Sequence, residues 1–308
     1  MNIDDIKTVL IIGSGNMGQQ IGFQCAACGL DVVMYDISED VLEKALDRMG
    51  KLAKTYVDGK RLTTDQAGEA LARICIATDP ARAGKNADFV SESVPEDPEL
   101  KGKVFATFNQ VCPAHAIFTT NTSSLIPSMF ADATGRPDRF AALHFHDTRI
   151  SCIVDIMPHP KTSPETVEII KAFALRIKQV PIMLHKENFG YVFNAMIMEL
   201  FKSAQSLAAN QVASVEDIDR SWMGVMHTLV GPFGIMDSIG LDTVWKITDY
   251  WANILKDRQQ IANAEFMRQY VERGELGVKT GRGFYEYPEP AFAKPGFSTS
   301  RRDEADGF

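Results

Sequence analysis

The run Thr8-Val9-Leu10-Ile11-Ile12 is closed at once by Gly13-Ser14-Gly15-Asn16-Met17-Gly18, and no other junction constrains the fold as tightly. An unbroken apolar pentapeptide reads as a strand buried on both faces. Glycines spaced G-x-G-x-x-G then turn the chain into a helix. Gly13 permits the tight turn, Gly15 the close approach of a pyrophosphate, and Gly18 the packing of helix on strand. The amides that open the helix, Asn16 and Met17 among them, are then aimed at the phosphates. The pattern alone is weak; the strand before it and the helix after it give it weight. Asp36 closes the next strand-like run, 32–36, 18 residues beyond the last glycine. A carboxylate there accepts hydrogen bonds from both ribose hydroxyls and repels a 2′-phosphate, which selects NAD over NADP. The alternative is a turn or helix-capping aspartate in a fold without nucleotide.

The first half of the chain alternates. Ser38-Glu39-Asp40 opens a long helical pattern with serine as its N-cap. Strand-like runs recur at 74–77, 87–90, 116–119, 140–144, 152–157 and 179–184. This spacing predicts an α/β chain with a Rossmann-like, doubly wound, mostly parallel sheet. From about 190 to 271 the apolar residues fall three and four apart, which predicts a second, all-helical C-terminal domain. The boundaries read as 1–187, 188–287 and a Pro-, Ser- and charge-rich tail, 288–308, expected to be poorly ordered.

With 308 residues, 45% hydrophobic and 23% charged, the composition is that of an ordinary globular protein of two domains. The net charge of −8 offers no footprint for nucleic acid or an anionic membrane. No apolar run approaches the ~20 residues of a membrane-spanning helix. The acidic start reads as neither a signal nor a transit peptide. Five cysteines, an odd number, read as reduced thiols in a cytoplasmic protein. Cys25-Ala-Ala-Cys28 has redox or zinc spacing, but no second pair exists and the segment is helical, so both read as apolar fillers. No metal site is expected.

Several stretches, in order over residues 8–287, together resemble the 3-hydroxyacyl-CoA dehydrogenase family. Besides the glycine loop they are Val94-Pro95-Glu96-Asp97-Pro98-Glu99-Leu100-Lys101, Asn121-Thr122-Ser123-Ser124-Leu125 and the run 140–145. In the second domain they are Gly190-Tyr191-Val192-Phe193-Asn194, Gly231-Pro232-Phe233 with Asp237, and the run 277–285. The resemblance implies NAD-dependent interconversion of a short-chain L-3-hydroxyacyl-CoA and its 3-oxo form, in β-oxidation or butanoate-type metabolism, by a homodimer. It places His144 on the catalytic histidine, Ser123 beside substrate and nicotinamide, and Asn194 at the reacting oxygen. It places Glu96, Lys101 and Lys279 at the nicotinamide half of the cofactor. It also implies that the segment holding Lys51, Lys54, Lys60 and Arg61 docks the nucleotide end of CoA, unless these are ordinary surface cations. Relatives resembling L-gulonate and carnitine dehydrogenases, which act without CoA, and the non-catalytic λ-crystallin keep two other readings open.

The residues themselves support the chemistry. Oxidising a secondary alcohol needs a base for the hydroxyl proton, and histidine suits that role in both directions near neutrality. His144 ends a strand at the carboxyl edge of the sheet, where open α/β folds place ligands. His115, His159, His185 and His227 read as structural. The chain departs from the family after His144, where Phe-Phe-Asn-Pro-Val-Pro is usual. Here His146, Asp147 and Arg149 stand in a loop one residue shorter, and Asp155 replaces the glutamate that pairs with the histidine. Asp155 lies in an apolar strand, where an unpaired carboxylate costs several kcal/mol, so it is the candidate partner. Asp147, three residues from His144, is the rival. A one-residue slip would turn every side chain to the other face, so the deletion is expected to be absorbed between 146 and 151. Arg149 is either a recognition group for an unusual acyl substituent or a surface arginine.

Overall fold

The structure, a computed structural model, describes residues 2–298. It separates into two compact units, Met1–Asn194 and Ala195–Phe308. The first carries eight strands: β1 Thr8–Ile12, β2 Asp31–Tyr35, β3 Ile74–Ala77, β4 Phe89–Glu92, β5 Ile117–Thr120, β6 Phe140–Phe145, β7 Ile153–Pro158 and β8 Val180–Met183. Their order is β3-β2-β1-β4-β5-β6-β7-β8. The first six are parallel, β7 runs antiparallel to β6, and β8 is parallel to β7. The order reverses between β1 and β4, the switch point at which such sheets bind ligands.

Helices α1 Asn16–Ala27, α2 Glu39–Asp58, α3 Thr64–Ala72, α4 Pro80–Gly84, α5 Pro98–Val111 and α6 Pro164–Arg176 connect the strands. One core, with Val9, Ile11, Phe23, Met34, Leu143 and Phe173, lies on one side of the sheet. A second, with Leu10, Ile12, Val90, Phe105, Phe118 and Phe140, lies on the other. Alternate residues of β1 serve opposite cores, which is why the strand is apolar from Val9 to Ile12.

The second unit is built from α7 Phe193–Ala209, whose first residues belong to the first unit, and from α8 Val215–Met226, α9 Pro232–Ile239, α10 Leu241–Leu255 and α11 Arg258–Glu272. Phe201, Phe233, Met236, Leu241 and Met267 form its core. The expectation of a loose tail is corrected for its first half. Residues Ala291–Ala293 form a 3-10 turn, Phe292 packs against this core, and the Phe297 carbonyl accepts from Arg220 Nε at 2.8 Å. Burying an aromatic ring outweighs the local Pro and Ser content. Residues 299–308 lie outside the described part.

Candidate active site

The glycine loop has the geometry its spacing requires. Gly13 has φ +96°, and a Cβ there would stand 2.7 Å from the Ser93 carbonyl oxygen. At Gly18 a Cβ would meet the Gly13 oxygen at 1.9 Å, so helix and loop close on each other only without a side chain. Around Gly15, by contrast, nothing stands within 4 Å of a Cβ position, and α1 starts with no side-chain cap. The amides of its first turn therefore face open space, which is the form of an anion cradle. Asp36 Oδ2 accepts from the Ser14 amide at 2.9 Å, which fixes the carboxylate beside the loop.

A second cluster follows β4 and β5. Glu96 accepts from Thr122 Oγ1 at 2.7 Å, from the Ser123 amide at 2.6 Å and from Ser123 Oγ at 3.2 Å, tying two loops together. Burial pushes the Glu96 carboxyl up, but the Lys101 ammonium and these donors outweigh it and hold it below the usual range. Lys101, expected at the nicotinamide half, is enclosed, with Nζ donating to Glu92 Oε1 at 2.7 Å and to the Val94 oxygen at 3.1 Å, and pairing with Glu96 Oε2 at 3.4 Å. In this arrangement it holds Glu96 in place.

At the end of β6, His144 is opposite Asp155 of β7 in the antiparallel register. His144 Nδ1 and Asp155 Oδ2 are 3.1 Å apart, and the two residues are 4% and 1% exposed. Asp147 is not the partner: it is taken by Arg149, whose Nε donates to Oδ1 at 2.9 Å. Arg149 is correspondingly committed to Asp147. The shorter connection is absorbed between the two strands, and its register is unslipped. Thr148 anchors it, its amide donating to Gln20 Oε1 of α1 at 2.8 Å and its carbonyl accepting from Arg61 Nη1 at 3.1 Å.

Two neighbours escaped the sequence reading. Tyr191 stacks on the His144 ring with centroids 4.7 Å apart, and His146 lies edge-on to it at 4.7 Å. His146 Nε2 is 3.3 Å from the same Asp155 Oδ2. Residues i and i+2 of an extended chain share a face, so His146 was findable from the alternation; Tyr191, 47 residues from His144, was not. Burial pushes the Asp155 carboxyl up, yet the hydrogen bond from His144 and the nearness of the His146 ring prevail and hold it below the usual range. Asn121 also contributes, its Oδ1 accepting from the Phe145 amide at 2.8 Å and pinning the strand end.

Asn194 stands in the first turn of α7, half-buried. Lys279, in the second unit, pairs with Asp242. Lys54 is exposed and bonded to Asp58 at 2.7 Å, Lys60 is exposed, and Arg61 lies over the Tyr56 ring at 3.9 Å. Arg61 thus frames the loop and is not a free cation. Cys25 is buried, and burial pushes its thiol up, so no reactive thiolate stands there.

The family models described as "3-hydroxyacyl-CoA dehydrogenase, NAD binding domain" and "3-hydroxyacyl-CoA dehydrogenase, C-terminal domain" match residues 8–188 and 190–287. The chain belongs to the 3-hydroxyacyl-CoA dehydrogenase family. It is 33% identical to the mitochondrial hydroxyacyl-coenzyme A dehydrogenase of Rattus norvegicus, over 92% of this chain and 91% of that one. It is 32% identical to a probable 3-hydroxybutyryl-CoA dehydrogenase of Bacillus subtilis, over 92% and 99%. Among solved structures, (S)-3-hydroxybutyryl-CoA dehydrogenase of Ralstonia eutropha superposes with TM-score 0.83 at 31% identity, over 92% and 100%. A diketoreductase described as performing substrate-directed dual catalysis of dicarbonyl compounds superposes with TM-score 0.85 at 37% identity, over 92% and 99%. As a 3-hydroxyacyl-CoA dehydrogenase the chain is an oxidoreductase whose cofactor is NAD. The open space at Gly15, the uncapped α1 and the fixed Asp36 fit that dinucleotide.

Proposed function

We propose that this dehydrogenase interconverts a short-chain (S)-3-hydroxyacyl-CoA and its 3-oxoacyl counterpart, with His144 exchanging the hydroxyl proton. The observation that carries the reading is the buried contact of His144 Nδ1 with Asp155 Oδ2 at 3.1 Å. With Nδ1 engaged, Nε2 is the nitrogen left for substrate, and the carboxylate fixes the orientation of the ring. Bound NAD supplies the hydride acceptor for oxidation and, as NADH, the donor for reduction. In oxidation His144 accepts the proton of the 3-hydroxyl; in reduction it returns one to the same oxygen. Ser123 and Asn194 hydrogen-bond that oxygen, and such contacts lower the barrier when they strengthen as charge develops. Gly13, Gly15, Asn16, Met17 and Gly18 hold the pyrophosphate, Asp36 the adenosine ribose, and Glu96, with Lys279, the nicotinamide half.

The test is oxidation of NADH by the purified protein with acetoacetyl-CoA. Turnover above the background without thioester is expected; background-level oxidation by protein that still binds NADH overturns the reading. A second reading is a dicarbonyl or free 3-hydroxy acid substrate. It is favoured by the altered loop, by Lys54 being bonded to Asp58, and by likeness to the diketoreductase. Comparing turnover of acetoacetyl-CoA with that of small non-thioester dicarbonyls separates the two.

The five cysteines stand as free thiols, which supports a reducing compartment such as the cytoplasm. Tyr250, Trp251, Ile254 and Leu255 leave an exposed apolar stripe on α10. It supports a homodimer through the helical unit, which sedimentation analysis tests.

A further inference from the structure

We propose that His144, His146 and Asp155 form a three-ligand site for a divalent transition ion, Zn2+ being the best fit, whose occupancy stops proton exchange at His144. The switching half rests on the role proposed for His144; the binding half does not. The three groups are brought together by sheet geometry. Asp155 is the cross-strand partner of His144 near the end of β6, and His146, the first residue beyond that strand, lies edge-on to the His144 ring.

The spacing suits an ion. Ligand atoms about 2.0–2.1 Å from a tetrahedral zinc stand about 3.3 Å apart. The Asp155 oxygen is 3.1 Å from His144 Nδ1 and 3.3 Å from His146 Nε2, and all three atoms lie within 4.8 Å of one another. A small swing of the His146 ring completes the set.

A second observation points the same way. His146 Nε2 is sealed from solvent, and despite its distance to Asp155 it has no aligned hydrogen-bond partner. An unsatisfied buried nitrogen costs about 1–3 kcal/mol, and a metal bond removes that cost. Tyr191 and Phe193 pack on the two imidazoles, giving the ligands fixed orientation and apolar walls. Two neutral imidazoles and one carboxylate leave a single negative charge for the cation, and the borderline donor set of nitrogen and oxygen suits zinc.

The metal takes the place of the Nδ1 proton of His144, and through solvent that proton is taken up at Nε2, so the ring stays neutral and none is released. With its one proton on Nε2 the metal-bound ring can neither accept one from an alcohol nor, short of becoming an imidazolate, give one up.

The test measures Zn2+ affinity by competition with a chromogenic chelator, and ligand type from the absorption spectrum with Co2+ as the probe. The wild-type protein should bind one ion per chain without thiolate-to-cobalt charge transfer. His146→Phe, its fold verified by circular dichroism and NADH binding, should bind about 100-fold more weakly. Cys75→Ser with Cys152→Ser should bind as wild type does. Zn2+ should inhibit NADH oxidation reversibly with EDTA, at a concentration matching its affinity, and His146→Phe, measured against its own metal-free rate, should resist. Equal affinity in wild type and His146→Phe, or a thiolate spectrum, overturns the site and leaves the role of His144 standing. Tight binding at this cluster with unchanged turnover overturns the switch, and the role of His144 with it.

Discussion

Buried carboxylates in the two units are handled in opposite ways. In the sheet unit, Asp155 faces two imidazoles, those of His144 and His146. In the helical unit, Asp219 accepts from the Phe233 and Gly234 amides at 2.8 and 3.0 Å and from the Tyr285 hydroxyl at 2.9 Å. Asp237 accepts from the Phe284 and Tyr285 amides, both at 2.9 Å, and from the Tyr287 hydroxyl at 3.0 Å. Those donors are neutral and fixed. Burial therefore prevails and pushes both helical-unit carboxyls up, while Asp155 is held down. Imidazole partners hold a buried carboxyl down, and amide and phenol partners leave burial in charge. Asp219 caps the start of α9, and Asp237 gathers the loop that follows α11, where a Cβ at Gly283 would fall 2.1 Å from its oxygen.

The sharpest way to break this division is to exchange its consequences. His144→Ala should lose about 10³-fold in turnover, some 4 kcal/mol of barrier, with NADH affinity unchanged by fluorescence titration. Wild-type-like turnover removes chemistry from the sheet unit. Asp237→Ala should cost on the order of 3 kcal/mol or more, since it strands three buried donors. Denaturant unfolding followed by fluorescence reads this cleanly, because Trp222, Trp245 and Trp251 all lie in the helical unit. Asp155→Asn should retain the fold and lose about 100-fold in turnover, as orienting partners of reactive groups do. A loss of stability without a loss of rate would move Asp155 to the structural side.

The pH dependence should run in opposite senses. The folded-state pKa values of Asp219 and Asp237 lie above the unfolded value of about 3.9. Their contribution is full below that value and is lost as pH rises through the folded pKa values. Glu96 is held below its ordinary range, so its contribution is present above about 4.3 and is lost as pH falls through its folded value. Acidification to below about pH 4 should thus favour the tryptophan-reported unit and lower the NADH-reported stability of the sheet unit. Asp237→Asn should flatten the first trend. The smallest effect expected is for Lys54→Met: its exposed pair with Asp58 is worth under about 1 kcal/mol. A large rise in KM for acetoacetyl-CoA would restore Lys54 as a thioester contact.

Much of the sheet was legible because its strands are apolar on both faces and end in glycine or a capping residue. β4 was expected at 87–90 and lies at Phe89–Glu92. Its last turn outward hides a carboxylate that looks like a loop residue until Lys101 is seen to neutralise it. Asp155 stood out as a partner for His144 because an unpaired carboxylate in an apolar strand is costly, with Asp147 as its rival. The approach of Tyr191 was not legible, because it comes from a segment distant in the chain. The motifs around Gly231, Asp237 and Gly277 were visible as a likeness, but their work as carboxylate knots needed coordinates.

Thr148 fastens the loop after His144 to the Gln20 carboxamide and the Arg61 guanidinium, while Ile150 nearby projects freely. Positions 147, 149 and 150 can therefore be varied in a mutant library without disturbing the strands that carry His144 and Asp155. One peg holds the hinge of an interchangeable cassette.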